Sequence, residues 1–127
     1  MLPLVVVIDD DNSVRESLES LIRSAGFAVR VFDLAEEFLN SPYLQQAACL
    51  VLDVRMPRMS GTQLQSYLLS QGYEVPVIFI TAYVADEEAE ARAFASGALA
   101  YLIKPFDEGD LLRAIHTALK SGSKHED

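Results

Sequence analysis

Five short apolar segments alternate along this chain with segments of helical periodicity, and this alternation constrains the fold more than any other feature of the sequence. The apolar segments are rich in Val, Ile, Leu and aromatic residues, and they span residues 4–8, 28–32, 49–54, 75–80 and 99–103. Continuous apolar runs of this length are typical of parallel strands that are buried on both faces of a sheet. The sequence therefore predicts five buried strands.

The intervals between the apolar segments have the spacing of amphipathic helices. In the first interval, apolar residues recur at helical spacing from Val14 onward, and Gly26 follows as a helix-terminating residue. In the second, Asp33 and Glu36 have the spacing of a capping box, and a short helix there must end before Pro42. Three further helices are predicted at 62–70, 86–96 and 107–120.

Strict alternation of strands and helices defines the fold class. Parallel strands need right-handed crossover connections, which place helices on both faces of the sheet. We predict an α/β fold of the doubly wound (βα)5 type with a five-stranded parallel sheet. A length of 127 residues fits one domain. We assign residues 1–120 to this domain and residues 121–127 to a tail or the start of a linker.

Charge and hydropathy argue against several classes of protein. The chain has 10 Lys and Arg against 19 Asp and Glu, a formal net charge of −9, which disfavours direct binding to nucleic acid or to anionic membranes. The longest apolar runs, at 47–52 and 98–103, are far shorter than the ~18 residues of a membrane-spanning helix. The first residues lack the pattern of a secretory signal, so the expected compartment is the cytoplasm. Cys49, the single cysteine, is expected to be a buried, unreactive thiol.

Polar residues stand at the predicted carboxyl ends of the strands, where open α/β sheets bind their ligands. The first strand runs into Asp9 and Asp10, the third meets Asp53, the fourth ends at Thr81 and the fifth at Lys104. Most have an ordinary structural interpretation, such as helix capping, a strand hydroxyl or a surface charge. Asp53 differs, because a carboxylate within an apolar central strand costs free energy unless it is paired. Their joint placement indicates a binding site.

A divalent cation would reconcile the aspartates with one another. If the first and third strands are neighbours, Asp9, Asp10 and Asp53 converge, and three like charges raise one another's pKa unless a cation neutralises them. Because the ligands are oxygens and no His or Cys converges with them, Mg²⁺ fits better than zinc. Lys104 and Thr81 would then bind a phosphate, and a carboxylate could act as a nucleophile and hold an acyl phosphate.

Four landmarks resemble the receiver domains of two-component response regulators, and the resemblance spans nearly the whole chain. They are Asp9-Asp10, the run around Asp53 at 52–57, Thr81-Ala82 and Lys104-Pro105-Phe106. The residues at 8–11, 24–27 and 55–61 are most similar to the FixJ-like branch of that family. The resemblance implies the flavodoxin-like strand order 2-1-3-4-5.

The resemblance also implies a role for each site residue. Asp53 is implied to be the phosphoacceptor, with Lys104 and Thr81 holding the phosphoryl group. Asp10, Asp53 and the backbone carbonyl of Arg55 are implied to bind Mg²⁺ directly, and Asp9 is implied to bind it through water.

Further positions follow from the same resemblance. Thr81 and Tyr101 match the family's switch residues, and Lys104-Pro105 is expected to be a cis peptide. Arg55 and Tyr83 occupy positions that tune the lifetime of the phosphate in the family.

The implied function is that of a signalling switch. A sensor histidine kinase would phosphorylate Asp53, and the surface made by the fourth helix, fifth strand and fifth helix would change. In the resembling family that surface forms homodimers, so phosphorylation should promote a homodimer and control transcription through a DNA-binding domain absent from this chain. Apart from its own phosphorylation and dephosphorylation, the domain is not expected to be an enzyme.

Three alternatives stay open on the sequence. The Asp-x-Asp spacing from Asp9 to Asp11 is that of haloacid-dehalogenase-like phosphatases, but Ser13 stands where they have Thr or Val, and the chain is short for that fold. A flavodoxin-like flavin-binding protein needs Ser, Thr and Gly donors around its phosphate, and three aspartates would repel it. A receiver-like scaffold that no longer accepts phosphate is disfavoured, because every core position is filled.

Overall fold

Five strands alternate with five α-helices in residues 2–82 and 87–123, the part of the chain that the computed structural model describes. The strands are β1 (Leu4–Ile8), β2 (Ala28–Phe32), β3 (Ala47–Asp53), β4 (Val77–Thr81) and β5 (Ala100–Ile103). The helices are α1 (Asn12–Ser24), α2 (Ala35–Leu39), α3 (Gly61–Ser70), α4 (Glu87–Ala95) and α5 (Glu108–Ser123). A short 3-10 helix (Pro42–Gln45) lies between α2 and β3.

The strands form one parallel sheet in the order β2-β1-β3-β4-β5. This order confirms the predicted flavodoxin-like, doubly wound α/β fold. β1 and β3 are neighbours, and Ile8 pairs with Leu52 at their carboxyl ends. The residues that follow this pair along the chain are Asp9 and Asp53, so both aspartates lie at the same edge of the sheet.

Helices cover both faces of the sheet, which explains why the strands are continuously apolar. On one face, Val5 and Val7 pack with buried residues of α1 and α5. On the other face, Val6 and Ile8 pack with buried residues of α2, α3 and α4. Successive side chains of a strand point to opposite faces, so every residue of β1 from Val5 to Ile8 meets a helix layer and is fully buried.

Several element boundaries differ from the prediction. β3 begins at Ala47, earlier than predicted, because Ala47 pairs with Leu4 across an irregularity in the register. β4 begins at Val77, later than predicted, because Pro76 has no N–H to donate to a neighbouring strand. The strand ends at Thr81. α5 continues past the predicted end at Lys120 as far as Ser123, because Ser and Gly weaken a helix without breaking it.

The start of α2 was predicted wrongly. Asp33 and Glu36 do not form a capping box; the residue before the helix is Leu34, and it makes no side-chain capping bond. Burial of Ala35 and Phe38 places the helix instead, because two fully buried side chains outweigh one capping interaction. The helix ends at Leu39, before Pro42, as predicted.

A capping box does occur at α3, where the Ser60 hydroxyl accepts from the Gln63 N–H and the Gln63 side chain accepts from the Ser60 N–H. At α1, the side chain of Asp11 accepts hydrogen bonds from the backbone N–H groups of Ser13 and Val14, so Asp11 caps that helix.

Other predictions concern single residues and the membrane. Cys49 is a free, fully buried thiol, and burial raises its pKa to about 12. None of the helices within 2–82 and 87–123 combines the length and the apolar character needed to cross a bilayer. Asp86, the predicted start of the fourth helix, and Tyr83 lie outside the described residues.

Candidate functional site

Three carboxylates converge at the carboxyl edge of the sheet. Asp9 follows β1, Asp10 is its neighbour, and Asp53 is the last residue of β3. One carboxylate oxygen from each residue lies within 4.8 Å of the other two. The adjacency and register of β1 and β3 produce this cluster, and the predicted convergence of the three aspartates is confirmed.

Asp9 is fully buried and is held by several partners. Its Oδ1 accepts the Asp11 N–H at 2.8 Å, and its Oδ2 accepts from Lys104 Nζ at 2.9 Å. Its own N–H donates to the Phe32 carbonyl at 3.1 Å. Burial of this carboxylate is therefore compensated within the protein, whereas Asp10 is exposed.

Lys104 joins the end of β5 to the acidic cluster. Its Nζ lies 2.9 Å from Asp9 Oδ2 and 3.6 Å from Asp53 Oδ2. Burial works against the charged form, but the hydrogen bond to Asp9 and the charge of Asp53 outweigh it and raise the pKa of Lys104. The Lys104 N–H donates to the Thr81 carbonyl at 2.7 Å, and Lys104-Pro105 is a cis peptide, as expected.

Asp53 is 7% exposed, and its carboxylate lies close to the carboxylates of Asp9 and Asp10. Its Oδ1 accepts the Arg55 N–H at 3.2 Å. Burial and the charge of Asp9 raise the pKa of Asp53 to about 6, although Lys104 and the Arg55 N–H act in the opposite direction. The three carboxylates of the cluster outnumber the one ammonium group that lies among them.

This donor set fits a hard divalent cation. Carboxylate oxygens are the ligands that Mg²⁺ prefers, and one or two carboxylates with further water or substrate oxygens are its usual protein site. The prediction that the Arg55 carbonyl is a ligand stays a prediction; Arg55 itself lies in the loop after β3 and its side chain is exposed.

The predicted switch residues lie on β4 and β5. Thr81 is the last residue of β4, is 1% exposed and pairs with Ile103. Tyr101 is half-buried on β5 and pairs with Phe79, and the two ring centroids are 6.3 Å apart. Thr81 thus belongs to the same sheet edge as the acidic cluster, while Tyr101 lies farther back along the sheet.

Sequence reasoning missed two residues next to the site. A Cβ atom on Gly61 would lie 2.4 Å from the Asp53 backbone oxygen, so only glycine fits there without a shift. The guanidinium of Arg15 donates to the Asp9 backbone carbonyl at 2.7 Å. A glycine directly after the Ser60 cap was a usable signal for the first, but no local pattern links Arg15 to Asp9.

Fold and site together have the architecture of the receiver class that the sequence resembles. The family description "response regulator receiver domain" matches residues 5–116. The chain therefore belongs to the response regulator receiver domain family, and it is a receiver domain of the two-component response regulator type. This assignment favours the receiver prediction over the phosphatase and flavoprotein alternatives.

Relatives agree with this assignment. The chain is 45% identical over 117 residues to response regulator protein TmoT of Ectopseudomonas mendocina, a match covering 92% of this chain and 53% of TmoT. It is 39% identical over 115 residues to transcriptional regulatory protein FixJ of Azorhizobium caulinodans, covering 91% of this chain and 54% of FixJ. The predicted similarity to the FixJ-like branch is thereby confirmed. The chain spans about half the length of these curated relatives.

Among solved structures, that of response regulator StyR superposes with a TM-score of 0.91 at 45% sequence identity. The superposition covers 99% of this chain and 63% of the StyR chain.

Proposed function

We propose that this domain accepts a phosphoryl group on Asp53 from a sensor histidine kinase, with Mg²⁺, and acts as a signalling switch in the cytoplasm. The observation that carries this proposal is the position of Asp53 at the carboxyl end of a central strand, with two further aspartates and Lys104 around it. The Asp53 carboxylate could thus act as the nucleophile, and the Lys104 ammonium group beside it could bind the phosphoryl group.

The metal would be held by Asp10, Asp53 and the Arg55 carbonyl, with Asp9 acting through water. The hydrogen bonding supports this ranking, because both oxygens of Asp9 already accept from protein donors, whereas Asp10 is exposed. When bound, Mg²⁺ supplies positive charge that compensates the carboxylates and the phosphoryl oxygens.

The transfer itself would proceed at the Asp53 carboxylate. A carboxylate oxygen attacks the phosphorus of the donor phosphohistidine, a P–O bond forms as the P–N bond breaks, and the imidazole nitrogen keeps the electron pair of the broken bond. Lys104, 3.6 Å from Asp53 Oδ2, is placed to neutralise an oxygen of the arriving group. We propose that this transfer and the later hydrolysis, in which water attacks the phosphorus and the Asp53 carboxylate leaves with the electron pair of the broken P–O bond, are the only catalysis by the domain.

The phosphate would be read out through Thr81 and Tyr101. Movement of the Thr81 hydroxyl toward the phosphoryl group would let Tyr101 turn inward and change the surface of α4, β5 and α5. We propose that this surface then forms a homodimer. FixJ is a transcriptional regulatory protein of which this chain matches 54%, and this similarity supports control of transcription through a further domain.

Mass spectrometry after incubation with acetyl phosphate and Mg²⁺ tests the proposal. The wild-type domain should gain one phosphoryl group, and Asp53→Asn should gain none. Asp33→Asn is the matched control, because Asp33 is an exposed aspartate at the same sheet edge and lies outside the carboxylate cluster. Undiminished labelling of Asp53→Asn would reject the assignment, and an unlabelled wild type would favour a scaffold that no longer accepts phosphate.

A further inference from the structure

We infer that Arg15 is a positioning residue for the metal site: its guanidinium fixes the peptide between Asp9 and Asp10, and so aims Asp10 at the cation. This inference rests on the proposed function, since it concerns the same Mg²⁺ site. Neither the acidic cluster nor the predicted ligand set includes Arg15.

The contacts of Arg15 differ from those of an ordinary surface arginine. Nη1 donates to the Asp9 backbone carbonyl at 2.7 Å, and Nη2 donates to Asn12 Oδ1 at 3.0 Å. Asn12 is in turn bonded to Glu16 at 3.3 Å. Arg15 is half-buried, so its guanidinium gives up part of its hydration to make these bonds.

Arg23 on the same helix provides the contrast. Its side chain is 60% exposed and pairs at 3.0 Å with Glu19, one turn away. Exposed pairs of that kind contribute little. Arg15 instead reaches back six residues, out of its helix, to a neutral main-chain acceptor at the functional edge of the sheet.

The Asp9 carbonyl matters because it belongs to the same planar peptide group as the Asp10 N–H. Fixing the oxygen fixes that plane and the position of the Asp10 Cα, and so restricts the directions in which the Asp10 side chain can leave the backbone. The rest of Asp9 is already held, through its N–H by Phe32 and through its side chain by Asp11 and Lys104. Asp10 is exposed, so packing constrains its side chain little, and the Arg15 bond holds the peptide that precedes it.

Charge and positioning predict opposite effects of removing Arg15. A positive charge near a metal site repels the cation, so its loss alone should tighten Mg²⁺ binding a few-fold. Loss of a group that orients a metal ligand typically weakens binding about 10-fold to 100-fold. The sign of the change therefore separates the two roles.

Calorimetric titration of the folded domain with MgCl₂ tests the inference in Arg15→Gln, Arg15→Lys and the control Arg23→Gln. We expect Mg²⁺ to bind Arg15→Gln about tenfold more weakly than wild type. Arg15→Lys should also bind more weakly, because an ammonium keeps the charge but lacks the fork that spans two acceptors. Arg23→Gln should bind as wild type.

A second readout separates positioning from a loss of stability. With acetyl phosphate as donor, Arg15→Gln should need more Mg²⁺ for half-maximal labelling but should reach the wild-type rate at saturating Mg²⁺. In an Asp10→Asn background, Arg15→Gln should change the Mg²⁺ affinity less than twofold, because the ligand that it positions is gone.

Unchanged or tighter Mg²⁺ binding by Arg15→Gln would overturn the inference, as would a lower urea midpoint with normal Mg²⁺ binding. Failure of the proposed function is distinguishable, because in that case the wild-type domain itself would bind no Mg²⁺ and take up no phosphate.

Discussion

Replacing Gly61 with alanine tests how closely the start of α3 packs on the strand that carries Asp53. The Gly61 N–H donates to the Val54 carbonyl at 3.0 Å, which holds the first turn of α3 against the end of β3. The added methyl group would lie 2.4 Å from the backbone oxygen of Asp53 and 3.1 Å from Cε1 of Phe79. Neither neighbour can yield easily, because Asp53 pairs with Ile80 in the sheet and Phe79 is fully buried.

The expected loss of stability follows from two opposing effects. Overpacking of a close-packed site costs about 1–3 kcal/mol, and a collision with backbone belongs in the upper part of that range. Alanine is a better helix former than glycine by up to about 1 kcal/mol. We therefore expect the free energy of unfolding to fall by about 1–2 kcal/mol.

Urea denaturation followed by circular dichroism measures this change, with Gly109→Ala as the control. Gly109 is also in the first turn of a helix, α5, but a Cβ atom there meets the exposed side chains of Asp107 at 3.0 Å and Arg113 at 3.3 Å. Both groups are exposed side chains that can shift by a few tenths of an ångström, although Asp107 Oδ1 also accepts the Gly109 N–H at 2.7 Å, so Gly109→Ala should cost much less than Gly61→Ala. Because Asp53 must shift in Gly61→Ala, its labelling by acetyl phosphate should also be slower.

An unchanged or higher unfolding free energy for Gly61→Ala would refute this reasoning, provided that the slope of the unfolding curve matches that of the wild type. It would mean that the loop after β3 relaxes without cost and does not hold Asp53 in place.

Three further predictions concern the metal, the switch and the thiol. Excess EDTA should abolish labelling by acetyl phosphate, and labelling at an equal rate in EDTA would contradict the metal site. Asp10→Ala should weaken Mg²⁺ binding more than Asp9→Ala, and equal losses of affinity in a titration would contradict the proposed ligands. Thr81→Ala should still accept phosphate but lose much of its dimerisation, because the chemistry rests on Asp53 and the readout on the hydroxyl; sedimentation with beryllofluoride checks this, and normal dimerisation of the variant would rule out Thr81 as the sensor. Burial raises the pKa of Cys49 from 9.0 to about 12 in the folded domain. Between pH 9.0 and 12 the thiol therefore ionises in the unfolded chain but not in the folded one, and the free energy of unfolding falls as the pH rises. The unfolding free energy of the wild type should therefore decline over this range by more than that of Cys49→Ala, and an equal decline in chemical denaturation would contradict the burial argument.

Much of the fold could be predicted because the relevant signals are local and periodic. The apolar runs and helical spacings predicted five strands and five helices in the right order, and the strand ends pointed to Asp9, Asp10, Asp53, Thr81 and Lys104. Boundaries were less well predicted. Asp33 and Glu36 have the spacing of a capping box but do not form one, because burial of Ala35 and Phe38 decides where α2 begins.

The sequence by itself determined which residue types stand at the ends of the strands, and hence that acidic groups, a hydroxyl and a lysine meet at one edge of the sheet. Only the tertiary structure decided how they pair: Lys104 bonds Asp9, 95 positions away, at 2.9 Å and lies farther from Asp53. Periodicity likewise did not predict the contact of Arg15 with the Asp9 carbonyl or that of Gly61 with Asp53, although the glycine after the Ser60 cap was a local signal for Gly61. The physical reason is that periodicity assigns a residue to a face or an end of its own element, whereas a hydrogen bond between elements depends on strand order, register and loop path to within a fraction of an ångström.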